Sequence, residues 1–249
     1  MEAYQNLATV YDQFMQHAPY DEWVSFTKKM VDYYNVSGKR MIDLGCGTGE
    51  ITLRLSDSGF DVTGVDVSET MLAEANQKAV QQKKHVFWVQ QDIRNLQGFE
   101  DIDVCVSYCD VMNYVTEKKG IETVCQNVYR SLQKDGLFIF DVHHLPYVTE
   151  QLVDQRFSDV MDDLAYIWEC EAGAKEGEMH HFITFFVRKQ NGQYERYDEY
   201  HYQQTFAIDL YASALKKAGF TKIEFYADFS TENHEINQDK QRIFVLAQK

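Results

Sequence analysis

A short glycine-rich segment and an acidic residue downstream of it are the residues whose types and spacing most directly indicate chemistry. Residues 43–49 have the sequence DLGCGTG and lie between a short apolar run and a helix-like segment. Glycines in such a turn let the backbone bend sharply and let a ligand lie against it, because no Cβ intervenes. The apolar run 62–65 ends in Asp66, and an acidic side chain at such a position can accept both hydroxyls of a ribose. The sequence therefore predicts a nucleoside site.

The glycine spacing and the charge beside it indicate which nucleoside binds. A dinucleotide site usually carries G-x-G-x-x-G and places a pyrophosphate at a helix N-terminus. Here the third glycine comes one residue earlier, and Asp43 lies two residues before the first glycine. An anion beside Asp43 would be repelled, whereas a cation would be attracted. This favours a nucleoside with a positively charged tail, such as S-adenosylmethionine (SAM).

Three motifs in order resemble those of class I SAM-dependent methyltransferases. The glycine-rich segment resembles their first motif, Asp66 resembles their ribose-binding acid, and residues 91–93 resemble their adenine-contacting segment. The resemblance extends well over residues 36–142. It implies a Rossmann-like, seven-stranded, mostly parallel sheet with helices on both faces, and SAM as the cofactor. The candidate cofactor-binding residues are Tyr11, Asp43, Gly45, Cys46, Gly47, Gly49, Asp66, Val67, Met71, Asp92, Ile93 and Cys109.

The elements that must position these residues alternate between strand-like and helix-like segments. Five β/α units are predicted over residues 40–141, and a final helix with two strands completes the sheet. Residues 1–35 are aromatic-rich and predict an N-terminal helical cap interrupted at Pro19. Residues 150–205 show alternation and an Asn191-Gly192 hairpin signal, which predicts a small antiparallel insertion of about three strands. We expect one methyltransferase domain over residues 1–249.

Candidates for the reaction itself lie beyond the carboxyl ends of the strands, where open parallel sheets bind ligands. The loop after the fourth strand offers Asp110 and Asn113 to orient an acceptor. His143 follows the fifth strand, and the ordinary pKa of a histidine suits a general base at neutral pH. Helix capping and packing would equally account for the loop residues. His143 would equally be explained as a hydrogen-bonded surface residue with no role in catalysis.

The composition indicates a soluble enzyme of the cytoplasm. No apolar run approaches the ~18 residues of a membrane span, and the N-terminus lacks the pattern of a signal peptide. Five scattered cysteines read as free thiols, and eight histidines show no metal-ligand spacing, so no metal is predicted. The formal net charge of −15 disfavours binding to a phosphate backbone.

Several alternatives stay open. We expect a small-molecule methyl acceptor, but a tRNA or protein methyltransferase, a non-catalytic SAM-binding protein and an NAD-dependent oxidoreductase are rivals, and the oligomeric state is undetermined. The insertion carries 12 Asp/Glu against 5 Lys/Arg, which fits either a lid that attracts a cationic substrate or a solvated face. The cap fits either core packing or ligand contact through Tyr11 and Tyr20. We expect cap and insertion to meet as a lid, with Tyr11 and His143 facing the methyl group.

Overall fold

Two β-sheets joined by helices make up the protein, whose computed structural model describes residues 10–232 and 236–249. The strands are β1 (Arg40–Leu44), β2 (Asp61–Asp66), β3 (Phe87–Gln90), β4 (Ile102–Ser107), β5 (Leu132–His143), β6 (Gln155–Val160), β7 (Leu164–Ala172), β8 (Glu178–Arg188), β9 (Tyr194–Gln204), β10 (Lys222–Ala227) and β11 (Arg242–Gln248). The helices are α1 (Tyr11–Phe14), α2 (Tyr20–Tyr33), α3 (Glu50–Asp57), α4 (Glu69–Gln81), α5 (Lys118–Ser131), α6 (Leu145–Tyr147) and α7 (Ile208–Ala218). None of the helices in this described part is long and apolar enough to span a membrane.

The larger sheet has seven strands in the order β10-β11-β5-β4-β1-β2-β3. Strands β1 to β5 pair in parallel, and only β11 runs antiparallel to its neighbours β5 and β10. Every residue of β4 is buried, as expected for a central parallel strand whose two faces are both covered. This confirms the predicted Rossmann-like, seven-stranded, mostly parallel sheet.

A hydrophobic core lies on each face of this sheet. On one face, α5 and α7 pack against Phe138 and Phe140 of β5. On the other face, α2 and α3 pack against Leu137 and Ile139 of the same strand. Successive side chains of a strand point to opposite faces, so an uninterrupted apolar strand supplies both cores at once.

The smaller sheet is antiparallel, in the order β6-β7-β8-β9. It contains the hairpin expected at Asn191-Gly192, where Gly192 adopts a left-handed φ of 80° between β8 and β9. The sheet has one strand more than the three that the sequence predicts. The additional strand β6 lies at the edge and is mostly exposed and polar, so it lacks the alternation that would have revealed it.

The N-terminal segment contacts both sheets. Helix α1 packs on the smaller sheet, where the ring of Phe14 meets Tyr166 and Phe185 edge-on at centroid distances of 4.9 and 5.2 Å. Helix α2 packs on the larger sheet through Trp23 and Phe26. Residues 1–9 of the predicted helical cap lie outside the described residues. The segment therefore bridges the two sheets on the way into β1.

Candidate active site

A cleft of about 840 Å³ lies at the carboxyl ends of the parallel strands. It is formed mainly by the segments that follow β1, β2, β3 and β4, with the N-terminal segment on its other side. Eleven of the twelve predicted cofactor-binding residues line it: Tyr11, Asp43, Gly45, Cys46, Gly47, Asp66, Val67, Met71, Asp92, Ile93 and Cys109. The exception is Gly49, which does not belong to the lining.

The three glycines of the motif serve two different purposes. Gly47 has a φ of 53°, and a Cβ built there would meet no atom within 4 Å, so its backbone faces open space. A Cβ on Gly45 would lie 2.4 Å from the Val111 side chain, and one on Gly49 would lie 2.7 Å from the ring of Trp88. Gly47 therefore lets a ligand approach the backbone, whereas Gly45 and Gly49 permit close packing within the protein.

Asp66 ends β2 and holds the glycine turn in place. Its two carboxylate oxygens accept hydrogen bonds of 2.8 Å from the backbone N–H groups of Gly47 and Ser68. A carboxylate offers about four acceptor positions, so two remain for the hydroxyls of a ribose. Burial raises the pKa of Asp66, which the backbone hydrogen bonds partly offset.

Asp43 lies deeper in the same cleft. It is 2% exposed and accepts a hydrogen bond of 2.6 Å from the hydroxyl of Thr52. Burial raises the pKa of Asp43 to about 7, and the nearby charge of Asp66 adds to this effect. A cation bound in the cleft would favour the charged form of Asp43, as the argument from the sequence requires.

Asp92 marks the cleft wall beyond β3. Its carboxylate accepts the backbone N–H of Arg94 and pairs with the guanidinium of the same residue, which lowers the pKa of Asp92. Arg94 also lines the cleft. The sequence motif did not reveal this ion pair. Arg94 therefore competes with an adenine for the carboxylate of Asp92.

The N-terminal segment lines part of the cleft and is tied to the glycine turn. Asp12 accepts a hydrogen bond of 2.6 Å from the hydroxyl of Thr48 and forms an ion pair of 2.7 Å with Lys78 of α4. Tyr11 and Tyr20 on either side of this attachment line the cleft. Burial raises the pKa of both tyrosines, so their hydroxyls stay protonated near neutral pH.

The three predicted catalytic residues lie behind the cleft wall. None of the three, Asp110, Asn113 and His143, lines the cleft. Asn113 is fully buried, donates to the carbonyl of Gln204 (3.1 Å) and accepts the backbone N–H of His143 (3.0 Å). The structure thus joins these residues to one another and to β9, and their predicted catalytic roles stay predictions.

The electrostatic surroundings differ between Asp110 and His143, whose side chains lie 3.6 Å apart. Burial alone would raise the pKa of Asp110, but His143, Arg242 and a hydrogen bond from Gln203 outweigh it and lower this pKa to about 2. Burial lowers the pKa of His143 to about 4. The histidine is therefore neutral at pH 7 and is a weaker base than its ordinary pKa of about 6.5 implies.

Two features of the cleft fit SAM. Backbone exposed at Gly47 provides room for a close ligand, and the carboxylates of Asp43 and Asp66 suit a sulfonium and a ribose. Over residues 10–232 and 236–249, no group of three or more His, Cys, Asp and Glu is arranged to hold a metal ion. The fold and the cleft together define a class I SAM-dependent methyltransferase.

Comparisons with known proteins give the same result. Residues 41–136 match the family described as a methyltransferase domain. The chain is 40% identical over 247 residues to a protein named "Putative methyltransferase GWCH70_2453" from Geobacillus sp. (strain WCH70), covering 99% of both chains. The chain therefore belongs to this methyltransferase family.

Solved structures resemble the whole chain. An S-adenosylmethionine-dependent methyltransferase from Clostridium acetobutylicum ATCC 824 has a TM-score of 0.87 and 26% identity, covering 98% of each chain. The sugar N-methyltransferase KedS8 from Streptoalloteichus sp ATCC 53650 has a TM-score of 0.81 at 17% identity, covering 96% of this chain and 93% of the other. The second likeness concerns the fold alone.

Proposed function

We propose that this SAM-dependent methyltransferase acts on a small molecule held at the end of the cleft near Tyr11 and Tyr114. The observation that carries the proposal is the attachment of the N-terminal segment at the cleft. The hydrogen bond between Asp12 and Thr48 and the ion pair between Asp12 and Lys78 fix the N-terminal segment beside the glycine turn, and Tyr11 and Tyr20 of this segment line the cleft. A folded macromolecule presenting its own acceptor group would have to displace this segment, whereas a small molecule fits beneath it.

The chain's own residues would bind and orient the two reactants. Bound SAM supplies an activated methyl group on a positively charged sulfur. Asp66 would hold the ribose, Asp43 would favour the sulfonium, and Gly47 would admit the cofactor to the backbone. Tyr11 and Tyr20, which stay protonated, would donate hydrogen bonds to an acceptor and exclude water from it. In-line alignment of the two reactants would then lower the barrier to methyl transfer.

Three further observations support a small acceptor in the cytoplasm. The net charge of −15 opposes binding to nucleic acid, and the fold resembles that of a sugar N-methyltransferase. All five cysteines are free, as is usual in a reducing compartment.

Turnover with fractionated cell extract tests the proposal. The purified protein is incubated with SAM and either the ultrafiltered small-molecule fraction or the protein and RNA fraction, and release of S-adenosylhomocysteine (SAH) is measured. We expect release with the small-molecule fraction and none above background with the macromolecules. Release confined to the protein or RNA fraction would contradict the proposal. SAM binding without release in either fraction would indicate the non-catalytic alternative.

A further inference from the structure

A strained turn forms part of the cleft wall directly after β4. Cys109 and Asp110 are consecutive non-glycine residues with left-handed φ values of 55° and 53°. Side chains other than glycine rarely adopt this conformation, and it persists only where the surroundings hold it in place. Cys109 lines the cleft and Asp110 does not. Because the two residues are consecutive, the contacts that hold Asp110 also determine how Cys109 faces the cleft.

On the side of the larger sheet, a buried arginine holds the turn. Arg242 of β11 contacts Asp141 at 2.9 Å through one terminal nitrogen and Asp110 at 3.2 Å through the other. Asp141 is fully buried, and its second oxygen accepts the backbone N–H of Asp110 at 2.8 Å. The indole of Trp23 donates to Asp141 at 2.7 Å and lies within 5.3 Å of the guanidinium. Both the side chain and the backbone of Asp110 are thus fixed.

On the side of the smaller sheet, a chain of hydrogen bonds ends on the same carboxylate. The indole of Trp168 lies 3.0 Å from Nδ1 of His181 and can only donate. In a neutral His181, Nε2 then carries the proton and donates to Oε1 of Gln203 at 3.1 Å. The amide nitrogen of Gln203 donates in turn to Asp110 at 2.8 Å. Burial lowers the pKa of His181 and so favours the neutral ring.

We propose that Arg242 is a positioning residue that, together with Asp141, holds the Cys109–Asp110 turn in its left-handed conformation and thereby sets the wall at the acceptor end of the cleft. The inference rests on the proposed function only in assigning the acceptor to this end of the cleft. Arginine suits the role because its planar fork reaches two carboxylates at once, which a lysine ammonium cannot do with the same geometry. Without the guanidinium, Asp110 and Asp141 would keep their hydrogen bonds from Gln203 and Trp23 but lose the positive charge that lies between the two carboxylates.

Cys109 provides a direct readout of the turn. Burial raises the pKa of its thiol well above the ordinary value, so the thiol reacts slowly while the turn is in place. The other four cysteines are buried, among them Cys125 inside the core below the larger sheet. A change confined to the turn will therefore alter the labelling of Cys109 and leave that of Cys125 unchanged.

The experiment compares iodoacetamide labelling rates of Cys109 and Cys125, mapped by mass spectrometry, in the wild type and in Arg242→Gln, Arg242→Lys and Arg188→Gln. Arg188 is the matched control, since its ion pair with Asp163 is exposed and far along β8. We expect Arg242→Gln to label Cys109 about tenfold faster or more through local opening, Arg242→Lys to be intermediate, and the control to match the wild type. Should Arg242→Gln not fold, the lysine variant, which keeps the balancing charge, decides the question.

Wild-type labelling rates in both Arg242 variants would overturn the proposal. An equal rise at Cys125 would also overturn it, because the arginine would then stabilise only the fold as a whole. Labelling of the wild type with saturating SAH tests separately whether Cys109 faces the bound cofactor, and the turnover experiment with fractionated extract tests the proposed function. We expect SAH to protect Cys109 in the wild type, and failure of that protection would contradict the cofactor assignment while leaving the comparison of variants intact.

Discussion

At the scale of single residues, two carboxylates in the cleft are held in different environments. Asp66 receives two backbone N–H groups, whereas the more deeply buried Asp43 receives one hydroxyl from Thr52. Backbone donors stabilise a carboxylate charge, and burial opposes it. We infer that Asp66 orders the turn and binds hydroxyls, whereas Asp43 responds to the charge of the ligand.

Replacement of Asp66 by alanine tests the first role. We expect Asp66→Ala to weaken SAM binding by about 1.5–3 kcal/mol, because hydrogen bonds to a charged group are lost. Isothermal titration calorimetry measures the change. Asp57→Ala is the control, since Asp57 forms an exposed ion pair with Lys84 outside the cleft. Unchanged affinity in Asp66→Ala would refute the ribose assignment.

The pH dependence of binding tests the role of Asp43. The pKa of Asp43 is raised to about 7 in the free protein, and a sulfonium favours the charged carboxylate, so SAM binding should release a proton. The affinity for SAM should therefore rise between about pH 6 and about pH 8. The affinity for SAH, whose sulfur carries no charge, should rise less over the same range. By the same linkage, the stability contributed by protonated Asp43 is lost as the pH rises toward 7.

Calorimetry in buffers of different ionisation enthalpy measures the protons released. In the variant Asp43→Asn, the affinities for SAM and for SAH should depend on pH to the same extent. Identical pH profiles for the two ligands in the wild type would contradict an electrostatic role for Asp43.

At the scale of elements, the N-terminal segment contributes Tyr11 and Tyr20 to the lining of the cleft. Asp12 attaches this segment to the cleft, because it contacts both Thr48 in the glycine turn and Lys78 in α4. Two residues further on, Phe14 packs on the smaller sheet. Since α1 is only four residues long, these contacts rather than helix propensity must hold it in place.

Removal of the attachment should speed the release of ligand. We expect Asp12→Ala to raise the dissociation rate of SAH about fivefold or more, because Tyr11 is no longer held over the cleft. Stopped-flow fluorescence with a displacing ligand measures this rate. Asp21→Ala is the matched control. Asp21 also lies in the N-terminal segment and forms an ion pair with Arg54 of α3, but its side chain is highly exposed. Equal rates in Asp12→Ala and the wild type would show that the segment does not limit release.

Local patterns predicted most of the elements and many of the residues that line the cleft. The glycine turn and Asp66 lie within one strand-helix-strand unit, where spacing determines geometry, and eleven of twelve expected residues line the cleft. The partners of Asp110 could not be predicted in this way. Gln203 and Arg242 lie far along the chain and meet it only because β9 and β11 return to the same edge. Burial also lowers the pKa of His143, so this histidine is less basic than expected. The sequence pattern did not indicate that this residue is buried.

At the scale of the whole molecule, the smaller sheet and the N-terminal segment contact each other, and both reach residues that line the cleft. The hydroxyl of Tyr114, which lines the cleft, lies 3.2 Å from Nδ1 of His201 in β9. Phe14 joins the N-terminal segment to β7 and β8. We propose that these parts form one lid whose order increases when the cofactor binds.

Hydrogen exchange with and without SAH tests the central claim most directly, namely that a cofactor in this cleft is covered by both parts. We predict that SAH protects the glycine turn and residues 66–71 and also slows exchange in residues 10–25 and 150–205. Helix α7, none of whose residues lines the cleft, serves as an internal control and should not change. Protection confined to the core motifs, with none in the N-terminal segment or the smaller sheet, would contradict a lid coupled to the cofactor.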